Sequence, residues 1–321
     1  MKKSIKLKGL VVAVATSAMM VFSTTASAEF PERPVEMTVL FGGTANSIAQ
    51  LLSELMSDEL GQPVVPVARK GGGGAVGYSY LQSAEPDGYS IVWNSNSIST
   101  SHHTGRIPFD YTAFTPIARV SIEIPALAVN SSTGWASLED MIAAAQAGDG
   151  KLKVGISGKG SFTHLTSAAL FDAMGISDKV LYISYGDGKA PIELLAGRID
   201  AAIQWPGQFV SYAETGDLTV LAVTGDERAS VLPDVATAQE QGLDVNISMW
   251  RGLAAPAGTS SEAIEALEMA AMKAVASERF TEASENIGFS KAFLGSDDFG
   301  ALIASDDVFY GSLLNQLGMA K

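Results

Sequence analysis

The chain has 321 residues, with 21 Lys and Arg against 35 Asp and Glu, a formal net charge of −14 at pH 7. A field of that sign repels nucleic acid and anionic membrane surfaces and excludes both as partners. There is no Cys, hence no disulfide and no thiolate ligand for a metal, and a chain of this length buries enough apolar surface to fold without either.

The first residues set the compartment. Lys2, Lys3, Lys6 and Lys8 form a basic stretch, residues 10–22 are an uncharged apolar run, and Ala26-Ser27-Ala28 is a small-x-small site before Glu29. Those three parts in that order describe a secretory signal peptide cut after Ala28. The competing reading, a membrane anchor, wants about 20 apolar residues, more than the run supplies. No Cys follows the run to carry a lipid. No later stretch reaches the ~18 uncharged apolar residues of a span, so the mature part is expected to be soluble and periplasmic. Cleavage removes four lysines and no acid, which makes the mature part more acidic still.

Taken in order, the remaining elements alternate strand with helix. Residues 35–41 alternate Val35, Met37, Val39 and Phe41 with Glu36 and Thr38, a strand that Gly42-Gly43 breaks. Ile48, Leu51, Leu52, Leu55 and Met56 recur at helical spacing, and Gly61 closes that helix. Residues 63–67 read as a strand, Gly71 to Gly74 as a turn, 75–82 as a short helix and 89–93 as a strand after the Pro86-Asp87-Gly88 turn. Further on, 127–129, 153–156, 180–184, 201–203 and 218–223 read as strands, and 138–147, 165–174 and 190–196 as helices. The tail reads as mostly helical. Thr259 and Glu262 form a T-x-x-E capping box before a helix, and 299–317 is a last helix. Strands separated by helices predict α/β layers with parallel sheets, and the length predicts two domains. No low-complexity linker separates them, so short crossing strands near 128–130 and 250–254 are the expected joints.

Two Gly/Ser-rich turns, each between a strand and a helix, are candidate anion sites. Gly42, Gly43, Thr44, Ala45, Asn46 and Ser47 bring a flexible backbone and hydroxyl donors to a helix start, where free N–H groups favour an anion. The plain alternative is a turn with Thr44 or Asn46 as N-cap. Ser157, Gly158, Lys159, Gly160, Ser161 and Thr163 repeat the setting, with Lys159 either a ligand cation or a solvated one. Ser161 and His164 resemble a nucleophile and base, but no G-x-S-x-G elbow surrounds them, and a capping Ser with a surface His fits better. Gly72, Gly74 and Gly77 satisfy G-x-G-x-x-G, yet Ser95, Asn96 and Ser97 stand where a dinucleotide site wants an acid, so no nicotinamide cofactor is expected. His102 and His103, read as neighbours on an extended segment, point to opposite sides and make a poor chelate; with one other His and no Cys, no metal is expected. His102 is either a ligand donor or an exposed loop residue. Trp93, Tyr185, Trp205 and Trp250 stand at strand ends and supply either pocket walls or core. Arg251 is placed to clamp a carboxylate or to pair with Asp187 or Asp200.

These segments together resemble the substrate-binding receptors of tripartite tricarboxylate transporters. The residues carrying the likeness include the opening Phe30-Pro31-Glu32-Arg33-Pro34, the Gly42-Gly43 and Ser157-to-Ser161 loops, Tyr185-Gly186, and Leu194-Leu195-Ala196-Gly197-Arg198-Ile199-Asp200. Leu232-Pro233-Asp234 and Gly252-Leu253-Ala254-Ala255-Pro256 follow in family order. The resemblance implies two doubly wound α/β domains with an interdomain cleft, the type II-like periplasmic binding protein fold. On that basis residues 1–28 are a signal peptide, 29–128 plus 251–321 one domain and 129–250 the other. It also implies a mono-, di- or tricarboxylate ligand, held by loop groups that include Tyr185, Gly186 and Trp205, and a membrane transporter as partner, with the receptor a monomer and not an enzyme. A sensory role for a membrane kinase and an exported enzyme remain as alternatives. Asn46, Gln50 and Arg251 depart from the family's usual Asp, Arg and Tyr-like residues, and the gain of Arg251 favours an anion.

Overall fold

The computed structural model describes residues 30–321. The predicted signal peptide lies outside those residues. The chain forms β1 (Val35–Val39), α1 (Thr44–Leu60), β2 (Val64–Ala68), α2 (Ala75–Gln82), β3 (Ser90–Ser95), α3 (Ser97–His103) and β4 (Phe114–Glu123). It then crosses to β5 (Ala126–Asn130), α4 (Leu138–Ala147), β6 (Leu152–Ile156), α5 (Phe162–Ala173), β7 (Val180–Ser184), α6 (Ala190–Leu195), β8 (Ala201–Gln204), α7 (Val210–Glu214) and β9 (Leu218–Val223). It returns through β10 (Met249–Pro256) and ends with α8 (Ser261–Ala276), α9 (Glu278–Ile287), β11 (Ser290–Leu294) and α10 (Ser296–Gln316).

Two sheets result, ordered β11-β4-β10-β3-β1-β2 and β7-β6-β8-β5-β9. Each is the centre of one α/β domain. The sheets are mixed rather than parallel. β1, β2 and β3 are parallel, as are β6, β7 and β8, but β10 runs antiparallel to β3 and β4, and β5 antiparallel to β8 and β9. The reason is the crossing: β5 and β10 carry the chain between sheets and enter each from the opposite direction to its βα units. Only Ile124 and Pro125 separate β4 from β5.

Periodicity explains the core. Ile48, Leu52 and Met56 of α1 meet Val35, Met37 and Val39 of β1, with Leu267 and Ala271 of α8 completing the layer. In the second domain Leu127, Val154 and Ile203 pack against Leu165 and Leu170 of α5. Each such fully buried side chain contributes about 1.5–3 kcal/mol. α10 straddles both units: Phe299 and Ile303 pack on the first sheet, Tyr310 and Leu314 in the core of the second.

Some local expectations change. Ser260, not Thr259, caps α8, accepting from the Ala263 N–H, while the Thr259 hydroxyl donates to the Pro256 carbonyl at 2.8 Å. A reciprocal capping box is found at Ser137 and Asp140 of α4 instead. His102 and His103 end a helix rather than lie on an extended strand. Gly61, in left-handed conformation (φ 65°), closes α1 as its sequence predicts.

Candidate functional site

A cavity of about 380 Å³ lies between the domains. One wall is the turn from β6 into α5. Ser161 is the N-cap: its Oγ accepts from the His164 N–H at 3.4 Å and lies 3.1 Å from Thr163 Oγ1. The Ser157 N–H donates to Thr163 Oγ1 at 2.9 Å, and Ser157 Oγ accepts from Gln204 Nε2 at 3.2 Å. These bonds fix the loop so that Ser157, Gly158, Lys159, Ser161 and Thr163 face the cavity. Their donors, with the first N–H groups of α5, suit an anion.

His164 holds this turn from behind. It is 7 % exposed, not the surface residue its sequence context suggests. Its Nδ1 accepts from the Gly160 N–H at 2.9 Å. Burial first, then the nearby Lys159 and Arg106 charges, lower its pKa to about 4, so the ring is neutral at pH 7 and serves as an acceptor. That geometry gives Ser161 no base: the imidazole nitrogen is turned to the backbone, and the hydroxyl is used as a cap.

The opposite wall comes from the first domain. Gly42 and Gly43 line it, with Gly43 (φ 61°) as the N-cap of α1 and no side chain capping that helix. Thr44 and Asn46 are therefore not caps. Thr44, Ala45, Asn46 and Ser47, expected from sequence to bind ligand, form the first turn of α1 and do not line the cavity; Ala45 is buried and Ser47 exposed. Gly71, Gly72 and Gly73 of the glycine-rich turn also line the cavity, as do Lys70 and Arg106. Arg106 reaches across the cleft and its Nη2 donates to the Lys159 carbonyl.

The floor is made by Gly186, Gln204, Trp205, Gln208, Met249 and Arg251. Among the four aromatics weighed from sequence, Trp205 alone stands on the wall. Trp93 is core, Tyr185 packs half-buried against the cluster of Ala190, Leu194, Ile199 and Ala202, and Trp250 donates its Nε1–H to Asp306 at 2.7 Å. Gly160 sits behind the lining, against the Arg106 guanidinium. His102 is away from the cavity, with Nδ1 3.0 Å from the Phe109 carbonyl. His103 reaches the Asp307 carboxylate at 3.2 Å.

Arg251 is 2 % exposed and its guanidinium stands 5.5 Å over the Trp205 ring. Its Nε donates to Glu123 Oε2, a partner on the adjacent strand β4, while the Asp200 carboxylate accepts from the Lys153 N–H at 2.7 Å. Burial raises the pKa of Glu123 and the Arg251 charge opposes that rise. Glu123, Lys70, Arg106, Gln204 and Gln208 have no sequence motif. They reach the site through strand register and crossing connections.

The electrostatic outcome is local. Among the described side chains the cavity has four cations, Lys70, Arg106, Lys159 and Arg251, and no carboxylate on its wall. No group of three or more His, Cys, Asp or Glu among the described residues is arranged to hold a metal.

Two α/β domains joined by crossing strands, with a cavity between them that four cations line, have the arrangement of a solute-binding protein. The model of the tripartite tricarboxylate transporter family receptor matches residues 48–319, and the chain belongs to that family. A Pseudomonas sp. (strain P51) protein from the tcbD–tcbE intergenic region is 31% identical over 270 residues, covering 82% of this chain and 80% of that one. A Polaromonas TctC solute-binding protein, solved without ligand, is 30% identical with a TM-score of 0.73, covering 89% of this chain and 99% of that one. An R. palustris protein solved with adipate is 25% identical with a TM-score of 0.82, covering 91% of this chain and 99% of that one.

Proposed function

We propose that the protein captures a small organic carboxylate in the interdomain cavity and delivers it to the membrane subunits of a tripartite tricarboxylate-type transporter. The observation that carries this reading is the cationic wall: Lys70, Arg106, Lys159 and Arg251 gather in a chain whose net charge is −14. The long-range field repels an anion, so attraction must come from donors within a few ångströms, where screening is weakest. The Ser157–Thr163 turn supplies hydroxyls and N–H groups for one carboxylate, and Arg251 a buried guanidinium at the floor. A volume of about 380 Å³ lies in the range of about 300–1,000 Å³ usual for small-molecule sites. Adipate in the R. palustris relative supports the ligand class.

Release of residues 1–28 by cleavage after Ala28 places the receptor in the periplasm. Ligand that touches both walls binds the closed form more tightly than the open one and shifts the population toward it. The role is capture and delivery, with no chemical step.

A thermal-shift screen of the mature protein tests the class. Across a panel of mono-, di- and tricarboxylates at equal concentration, an acid present at 100 times its Kd should stabilise it by about 2.7 kcal/mol, and weaker binders by less. A shift with sugars or amines and none with any acid overturns the reading.

A further inference from the structure

Beneath the cavity floor lies a carboxylate that no part of the capture scheme uses. Glu123 is the last residue of β4 and Arg251 stands on β10, where Met249 pairs with Glu123 and Arg251 with Ser121. The two side chains are 1 % and 2 % exposed. They meet through one edge only: Glu123 Oε2 takes the Arg251 Nε–H, and Glu123 Oε1 and Arg251 Nη1 have no partner. Nη1 and its two N–H donors are left uncommitted, buried just behind the cavity wall that Arg251 helps to form.

We propose that Glu123 is a positioning residue for Arg251, and that it takes up one proton from solvent when a ligand carboxylate joins the guanidinium. This rests on the carboxylate reading of the cavity. Two anions sharing one buried cation repel each other in a medium that screens weakly, so one of them is neutralised. Glu123 is the one that yields. It is already held above the ordinary carboxyl range by burial, and its free Oε1 is the atom that accepts the proton. The ligand carboxylate instead keeps the hydroxyl and N–H donors of the Ser157–Thr163 turn.

Arg251 is the charged group acting on Glu123. Charges on the other elements against β4 are engaged elsewhere: Lys291 of β11 with Thr281, Lys273 of α8 with Glu59, and Asp306 of α10 with Trp250 and Asn96. The guanidinium also lowers the Tyr78 pKa, against a larger rise from burial that leaves the phenol neutral. Glu123 therefore titrates against one partner. The Arg251 charge is left wholly to the ligand only when Glu123 gives up its own charge.

The test is calorimetric titration of the mature protein with succinate, glutarate and adipate in buffers of different ionisation enthalpy, which counts protons bound per ligand. The parent should take up close to one proton at pH values between the Glu123 pKa of the free receptor and that of the complex, and over that window its affinity should fall by up to about tenfold per pH unit. Glu123→Gln keeps the shape and removes the titration, so uptake should drop to near zero and affinity should become flat with pH. A second measurement needs no variant. In parent protein labelled with ¹³C-glutamate, ligand addition should produce an isotope-shifted carboxylic-acid C=O band in the infrared difference spectrum. Binding without proton uptake, equal uptake in the variant, or no labelled band overturns the proposal. Absence of binding by these three and by every other mono-, di- and tricarboxylate of the thermal-shift screen overturns the carboxylate reading and this inference with it.

Discussion

Replacing Arg251 by Met isolates the energetics of the floor. Met matches the length of the stem and removes the cation from beside Glu123. Both groups are at most 2 % exposed, so solvent does not screen the loss. Removing one partner of a buried pair costs about 3–5 kcal/mol, chiefly because the remaining charge stays dehydrated and alone. The double change Arg251→Met with Glu123→Gln removes both charges, so most of that loss should return. The pH dependence has a definite sign. Burial already raises the Glu123 pKa, and without Arg251 nothing lowers it. A carboxyl raised in the folded state gives its stability below the unfolded pKa and loses it as pH rises through the folded one. The single variant should therefore lose more at pH 8 than at pH 5, and the double variant should show no such difference. Urea unfolding of parent, single and double at both pH values measures this. A single variant within about 1 kcal/mol of the parent, or a double no more stable than the single, refutes the reasoning.

His164 has the opposite sign. Its pKa is lowered to about 4, so the folded state resists protonation; stability is present above the ordinary value near 6.5 and lost as pH falls toward 4. Between pH 6.5 and 5 the parent should lose about 1.6 kcal/mol more than His164→Asn, as read from denaturant midpoints; equal slopes would place the ring in solvent. Gly160→Ala should cost about 1–2 kcal/mol from its left-handed backbone (φ 73°), because the Arg106 guanidinium, the far end of a flexible side chain, can move aside from the new Cβ. A Gly160→Ala variant that melts with the parent would show that the turn does not hold this backbone left-handed.

Legibility followed periodicity. α2, α4, β7 and β9 have the ranges their sequences predict, because each carries a clear apolar rhythm between turn signals. α3 was not legible. Ser97-Ile98-Ser99-Thr100-Ser101-His102-His103 has no apolar stripe, and its serines and threonine are buried by the tertiary fold. β4 was also missed: its burial does not alternate, Pro116 and Arg119 interrupt it, and its pairing with β10 is bulged. At the site, the Ser157–Thr163 turn was visible as glycine and hydroxyl chemistry at a helix start. Glu123 was not, because its meaning depends on a partner 128 residues away in sequence and on a register no local pattern records. Arg106 escaped for the same reason: it is an ordinary loop cation until the two domains bring it to Lys159.

On the proposed reading, a local cluster of cations and donors selects a carboxylate against the protein's own field. Calorimetric titration with the dicarboxylate that shifts melting most, beside its neutral diamide of the same length, tests this directly. The acid should bind saturably, more weakly to Lys159→Ala, and the diamide should not bind. Equal binding of acid and diamide would mean that shape, and not charge, selects the ligand, and would contradict it.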